Sequence, residues 1–430
     1  MTPMAYEPIL PRLQPGEVDR ERRDPVDPAV YEQAARIVED VRARGADAVR
    51  EHACRLGDLA PGGDLVLSPA VCKAALGTLR PEDRGALERA AERIESFASA
   101  QRASLTPCQV TVGGFEAGHT IAPVDRAGCY APGGRFPLPS TVLMTAVTAR
   151  VAGVAEVWVA SPRPAPATLA AAAIAGAYGV IAVGGAQAVA AMAFGAGPIP
   201  RCDVIAGPGN KWVTAAKKAV VGHAGIDMLA GPSEVLIIAD GSADPEVVAA
   251  DLLAQAEHDP DAAAWVVTTS ASLADRIDGC LAGRLADLPG GKAASLALRN
   301  GGMVVCGSIE QAIAVSDRLA PEHLEIMTER ADSVACRCRH YGAVFIGRGA
   351  AEVIGDYGLG PNHTLPTGGS ARFGAGLSVL HFVRVRTYIR ELGRPDARIY
   401  KDAAVLARLE GLEGHARSAE ARIHPALGTA

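Results

Sequence analysis

The sequence predicts an α/β protein: two Rossmann-like parallel-sheet domains lacking a GxGxxG fingerprint, with small helical extensions at both ends. From Val151 to about Gly231 a short β-branched run, a glycine-rich turn and an Ala-rich helix recur, the pattern of parallel strands joined by right-handed crossovers. A second set follows Pro232, with EVLIIAD, AAWVVTT, MVVCG, LEIMT and AVFIG separated by helical sequence. A chain of 430 residues, 49% of them hydrophobic, is too long for one compact core and apolar enough to fill two.

Taken in order, residues 1–23 read as an N-terminal arm. Arg, Glu and Ala at helical spacing over Pro28 to Arg55 and Glu82 to Arg102, then strand-like QVTVGG, read as helices packed on a sheet. Residues 24–129 are grouped with 233–377 as a first, discontinuous α/β domain carrying the metal and catalytic residues. Residues 130–232, with strands VWVAS, VIAVGG and DVIAGPG, form the second. Residues 378–430 read as a helical tail, whose Val405, Leu406, Leu409 and Leu412 make an amphipathic face too small to stand alone. It must dock, and another subunit is one surface for it.

A net charge of −6 with dispersed Lys and Arg leaves no electrostatic footprint for nucleic acid. MTPMAYEPILPRLQ lacks the basic and apolar regions of a secretory signal, which points to the cytoplasm. The uncharged stretch between Arg163 and Arg201 is punctuated by Gly and Pro, so it reads as a buried strand and helix rather than a membrane span. The nine cysteines read as reduced thiols, mostly buried; Cys129 and Cys202 have no neighbouring base to activate them.

In DLLAQAEHDP, Gln255 and His258 stand three apart at the end of an apolar helix, an amide oxygen and an imidazole on one face. Two neutral ligands hold a catalytic divalent cation poorly, so a carboxylate and another imidazole are needed; Asp356 and His415 are candidates. The turns GGAQA (Gly184–Ala188) and GPGN (Gly207–Asn210) each follow a strand and open a helix, where backbone amides can approach a pyrophosphate with help from Gln187 and Asn210. Each turn alone reads first as an ordinary connection; their recurrence at the same end of one sheet, beside Tyr130, points to nucleotide binding. In PEHLEIM, Glu322 and His323 meet where a strand begins; an imidazole can take an alcohol's proton as hydride leaves, and a carboxylate beside it can activate water. GDYGLGPNHTLPT adds His363 in a turn-rich loop, and EGLEGH offers Glu410 and His415 across a helix break at Gly411 and Gly414.

Together GCYAPGG, TVLMTAV, VGGAQAVAAMAFG, GPGNKWVTAAK, GIDMLAGPSEVLIIAD, DLLAQAEHD, APEHLEI, GDYGLGPNHTLPTGG and EGLEGHA resemble the histidinol dehydrogenase family from about Asp27 to Arg422. The resemblance implies a homodimer that uses one zinc ion per subunit and two successive NAD molecules to oxidise L-histidinol through the aldehyde to L-histidine. It implies that Gln255, His258, Asp356 and His415 ligate zinc, with His415 reaching in from the partner, and that Tyr130, Gln187 and Asn210 in the 130–232 domain contact NAD. Ser233, Glu322, His323, His363 and Glu410 would line the substrate site, shared with the metal ligands; His323 would be the general base and Glu322 the group that activates water.

GGRFPLPS and VLHFVRVRTYIREL read as closer to paralogous members that oxidise other small polar alcohols such as sulfonated diols. Arg384, Arg386 and Arg390 would suit an anionic substrate, against a bland alternative in which they lie on a solvated or subunit-facing helix.

Overall fold

The computed structural model of the chain describes residues 8–18, 24–133, 137–288, 291–393 and 395–423. It opens with strand β1 (Arg12–Leu13) and helices α1 (Pro28–Arg44) and α2 (Ala46–Arg55). Asp27 starts α1, its carboxylate accepting from the Ala29 and Val30 amides ahead of Pro28, and Gly45 at φ 61° turns the chain into α2. Then come β2 (Val66–Leu67), α3 (Pro69–Leu76), α4 (Pro81–Ser104) and the hairpin of β3 (Cys108–Val112) and β4 (Phe115–Pro123).

Strands and helices now alternate: β5 (Arg126–Tyr130), α5 (Pro139–Ala152), β6 (Glu156–Ala160), α6 (Pro166–Ala175), β7 (Gly179–Ile181), α7 (Gly185–Phe194), β8 (Val204–Ala206), α8 (Lys211–Val220) and β9 (Gly225–Ile226). Their sheet has the order β2-β7-β6-β5-β8-β9 and is parallel except at the β2 edge. The pattern repeats with β10 (Glu234–Ala239), α9 (Pro245–Ala256), β11 (Ala263–Thr268), α10 (Ala271–Asp287), α11 (Gly291–Leu298), β12 (Gly302–Val305), α12 (Ile309–Leu319), β13 (His323–Met327), α13 (Ala331–Ala335), β14 (Ala343–Ile346) and α14 (Glu352–Asp356). This second sheet, β1-β12-β11-β10-β13-β14, is parallel throughout. The predicted pair of Rossmann-like sheets is therefore present, each with its first long strand at the centre. Val235 to Ala239 are buried because helices cover both faces of such a sheet, which explains the unbroken apolar run.

The chain ends with β15 (Val383–Glu391), α15 (Ala397–Leu409) and α16 (Glu413–Glu420). Two compact units result: residues 1–102 with 124–382, which contain both parallel sheets, and residues 103–123 with 383–430. In the smaller unit β15 and β3 flank β4 in an antiparallel sheet, and among the described residues the buried cluster of its helices is Ala404, Ala407 and Ala416. Val385, Ile389, Val405, Leu406 and Leu409 are exposed on it.

Three segment assignments from the sequence need correction. Within residues 24–129, α1 to α3 and β2 pack with the first sheet rather than with 233–377, whereas α4 does meet that segment, Arg93 donating to the Gly358 carbonyl at 2.7 Å. Val30, Ala34, Val38 and Val41 of α1 share a core with Val183, Met192 and Ile205, α3 packs on α6, and β2 pairs with β7. Helices α7 and α8 leave apolar surface on their outer side, and α1 is the amphipathic element that fits it. Nor is 378–430 wholly helical: in VRVRTYIRE the period is two, and those residues pair with β4. Arg384 and Arg390 consequently do not lie on a helix; Arg384 donates to the Pro123 carbonyl, while Arg390 meets Glu116 at 3.3 Å and stacks over Tyr388. Those two guanidinium groups are engaged inside the small sheet. Of the N-terminal arm, residues 1–7 and 19–23 lie outside the described residues, as do Gly134 to Phe136 of GGRFPLPS, while Arg12 and Leu13 join the second sheet beside β12.

All nine cysteines are unpaired, and burial pushes the Cys129 thiol up to about 12, consistent with a packing role. Among the described residues no helix is long and apolar enough to cross a membrane.

One buried ion pair stands out in the larger unit. Lys217 of α8 and Asp227, both with fully buried side chains, contact each other; the ammonium also donates to the Gly207 carbonyl at 3.0 Å, and the carboxylate accepts the Gly207 amide at 2.8 Å. Removing one partner strands the other charge in the interior. Lys217→Met is expected to lower stability by about 3–5 kcal/mol in urea unfolding. The double variant Lys217→Met/Asp227→Leu should recover part of that loss.

Candidate functional site

Strands β10 and β13 lie side by side with Val235 opposite His323, so their amino ends bring Ser233, Glu234, Glu322 and His323 together. Glu322 Oε2 accepts the Glu234 amide at 2.9 Å, and the Ser233 hydroxyl hydrogen-bonds the same carboxyl group. His323 Nδ1 donates to the Glu234 carbonyl at 3.1 Å, which leaves the lone pair on Nε2. That nitrogen faces Asp356 Oδ1 at 3.8 Å. Burial holds the His323 imidazole down to about 4 against the opposing pull of Asp356, so the ring is neutral at ordinary pH. Burial drives the Glu322 carboxyl well above its usual range.

Helix α9 runs back toward the same edge. It starts at Asp244, whose carboxylate caps Glu246, and its last turn buries Gln255 completely. His258 lies just beyond the helix, in an exposed turn held by its amide to the Gln255 carbonyl at 3.3 Å, so the predicted shared helical face extends past the helix end. His258 Nε2 stands 3.7 Å from Asp356 Oδ2 and 3.9 Å from Glu352 Oε1. Ligand atoms of His258, Glu352 and Asp356 all lie within 4.8 Å of one another, a spacing that can hold a metal ion.

Glu352 was not singled out in the sequence. Its signal was available, since GRGAAEVIGD sets Glu352 and Asp356 four apart on one helical face. Burial and the neighbouring Asp356 carboxylate raise its proton affinity strongly. Behind it lies a second acid pair: Glu325 accepts the Glu352 amide at 2.7 Å, and burial raises both Glu325 and its hydrogen-bond partner Asp251.

His363 links this edge to the other sheet. Its Nδ1 donates to the Asp356 carbonyl at 3.0 Å, and its Nε2 accepts from the Thr141 hydroxyl of α5 at 3.2 Å. Helix α5 follows β5, at whose carboxyl end stands Tyr130. Tyr130, Gln187 and Asn210 all occur at the carboxyl ends of strands of the first sheet, where ligands of such sheets bind. The metal-side cluster instead uses the amino ends of β10 and β13, the opposite edge from the one that rule selects.

The predicted pyrophosphate cradle is altered. The Gly184 amide donates to Asp58 at 3.1 Å, the Gly185 amide to the Tyr130 hydroxyl at 3.1 Å, and the Gly207 amide to Asp227. Asn210 caps α8 by accepting from the Trp212 and Val213 amides. These donors already have protein acceptors, so the turns are shaped by side chains rather than left open for a phosphate. At Gly207, φ is 119° and a Cβ would collide with the Tyr130 carbonyl oxygen, which explains the glycine. Gln187 differs: its carboxamide is buried and neither end has a hydrogen-bond partner. A buried unpaired amide costs stability unless a ligand completes it, so this side chain suits an NAD amide or hydroxyl.

Glu410 and His415 are exposed and belong to the smaller unit, either side of a turn in which Gly411 has φ 75°. The helix break expected from the two glycines falls there, between α15 and α16.

The sequence model of the family described as histidinol dehydrogenase matches residues 20–423. The chain is 47% identical over 398 residues to the histidinol dehydrogenase of Parasynechococcus marenigrum, covering 90% of each chain. It is 44% identical to that of Thermus thermophilus, covering 92% of this chain and 95% of the relative. The crystal structure of histidinol dehydrogenase from Elizabethkingia anophelis superposes with a TM-score of 0.89 at 32% identity, covering 97% of this chain and 99% of that one.

The depressed His323 pKa makes a stability prediction for metal-free protein. In the unfolded chain this imidazole takes a proton below about 6.5, whereas in the folded chain it does so only near 4. Its contribution is therefore fully present above about pH 6.5 and lost as pH falls to about 4, by roughly 3 kcal/mol. Urea unfolding across that window should show this slope in the difference between wild type and His323→Asn. An imidazole NMR titration with its midpoint near 6.5 would contradict the burial account.

Proposed function

The chain belongs to the histidinol dehydrogenase family, and from that premise we propose that it carries out the last steps of histidine biosynthesis with zinc and NAD, oxidising L-histidinol through L-histidinal to L-histidine. It is an NAD-dependent oxidoreductase by family. The observation that supports the chemistry best is the neutral, buried His323 with its lone pair on Nε2, beside a Glu322 of raised proton affinity.

His258 and Asp356 fit a metal by chemistry and spacing, and we assign them, with Gln255, to zinc together with His415 of the partner subunit; Tyr130, Gln187 and Asn210 are assigned to NAD. When bound, zinc offers a fixed point for the amine and imidazole nitrogens of the substrate, and NAD takes up hydride. His323 Nε2 takes the hydroxyl proton as hydride leaves the carbinol carbon. Glu322 takes a proton from the water that adds to the aldehyde, and His323 serves again when the hydrate loses its own hydride and proton. Ser233, His363 and Glu410 line the substrate, with Ser233 also steadying the Glu322 carboxyl. Protein groups need only hold and move protons, because orientation supplies the rest.

The smaller unit supports a homodimer. Among the described residues its own buried cluster is three alanines, and it exposes apolar surface at Val385, Ile389, Val405, Leu406 and Leu409. A second copy would cover that surface, and His415 would then complete a zinc site in trans. We assign the protein to the cytoplasm.

NADH formation with L-histidinol tests the substrate; activity only with other polar alcohols would overturn it. His323→Asn should lose both oxidations by about 10²–10⁴-fold, while Glu322→Gln should slow mainly the aldehyde step in single-turnover measurements begun from histidinol or histidinal. Equal losses from both starting compounds in Glu322→Gln would sink the division of roles. Mixing inactive His415→Ala and His323→Asn subunits should restore one active site per heterodimer if His415 acts in trans, and none if it acts in cis.

A further inference from the structure

Glu352 is 4% exposed, and its carboxylate lies among Gln255, His258 and His323, yet the proposed reaction assigns it nothing. Its place is fixed from both sides. The backbone amide at the start of α14 donates to Glu325 Oε1, and α14 packs against α9, which carries Gln255. With the Gln255 carboxamide oriented to satisfy its neighbours, the amide nitrogen donates to Glu352 Oε1 at 2.9 Å and Oε2 at 3.0 Å.

A carboxamide has two ends of nearly equal shape and opposite chemistry. Its oxygen can ligate a cation, whereas the nitrogen's lone pair is delocalised into the carbonyl and its hydrogens repel one. Gln255 is fully buried in the last turn of α9, so solvent cannot choose between the two orientations. Two carboxylate oxygens on one side can. They accept from the nitrogen and would oppose the oxygen, so the reversed amide would lose two hydrogen bonds and set oxygen against oxygen.

We propose that Glu352 is a positioning residue that holds the Gln255 carboxamide with its oxygen turned to the metal, rather than a ligand itself. The inference rests on Gln255 being a ligand. It gives the buried acid a task that needs no contact with the cation, in keeping with the outer-shell partners that orient first ligands in metal sites.

The test uses the full-length enzyme loaded with Co²⁺ for its visible spectrum and with Zn²⁺ in chelator competition. Glu352→Leu keeps most of the volume and removes the acceptors, and Glu352→Ala is the second such variant should either fail to fold by circular dichroism. Either should weaken metal binding about 10–100-fold and shift the Co²⁺ bands to those of Gln255→Ala. A double variant with Gln255→Ala should bind no more weakly than Gln255→Ala alone. Glu352→Gln, whose own oxygen still accepts from Gln255, should keep most of the affinity. Additive losses in the double variant would make Glu352 an independent ligand, and wild-type affinity with an unchanged spectrum in Glu352→Leu would leave it no role; both overturn the proposal. Unchanged binding in Gln255→Ala would instead show that Gln255 is not a ligand, a failure of the underlying assignment recognisable from that single variant.

Discussion

The constraint on which this structure turns is a surplus of buried acid at one sheet edge. Glu322, Glu325 and Glu352 are buried side by side with Asp356 partly so, and among the described residues no Lys or Arg forms an ion pair with any of them. The two buried imidazoles do little to neutralise that charge, because burial lowers the proton affinity of both His323 and His363. Burial accordingly raises the proton affinity of the Glu322 and Glu352 carboxyl groups. A divalent cation answers the same imbalance without protonation. Neutral imidazoles also matter in their own right, since only an unprotonated nitrogen can serve as a ligand or a base.

The two parallel sheets have the same strand order and use opposite edges. In the first, Tyr130 and the Gly207 to Asn210 turn flank the central β5 and β8 at their carboxyl ends, the usual crevice of a doubly wound sheet. In the second, the central β10 and β13 contribute the groups that precede and begin them. The contrast follows from the links between the sheets. The chain passes from β9 to β10 in a few residues, and the Gly231 amide is tied to Thr367 and the Thr141 hydroxyl to His363. A carboxyl edge of one sheet and an amino edge of the other are thus held to the same loops, so a cofactor and a substrate can meet without either sheet supplying both.

Strands β6 to β8 and β10 to β14 were legible because a buried parallel strand writes itself as an apolar run, and the helices between them carry Asp, Ser or Asn caps that the structure uses, as at Asp244, Ser270 and Asn210. Glu322 and His323 were legible for the same local reason, their adjacency at a strand start. What failed were assignments that depend on which surface an element meets. Helix α1 has an apolar stripe that would suit either sheet, and nothing local says that α7 and α8 have the vacancy. The run VRVRTYIRE shows its period of two plainly, but basic residues at alternate positions drew attention to charge instead of spacing. Glu352 escaped because it resembles any surface glutamate in a turn-rich stretch, and its importance arises only when α14 folds against α9.

The cofactor side carries a further consequence of side chains occupying backbone donors. In a nucleotide fold with a glycine fingerprint, free amides at a helix start receive the pyrophosphate. Here Asp58, Tyr130, Asp227 and Asn210 take amides at the starts of α7 and α8 and in the turn leading to α8, and two of these acceptors are carboxylates that would repel a diphosphate at close range. Recognition must then come from side chains and shape, and among the described residues the Gln187 amide and the Ser161 hydroxyl are buried polar groups without partners in the first sheet's turns. A dinucleotide bound there would find few free backbone donors for its phosphates and would rest on contacts to its other groups. Under the proposed reaction, which draws on two NAD molecules in turn, a cofactor site without a backbone phosphate cradle would favour release of the first reduced cofactor ahead of the second oxidation.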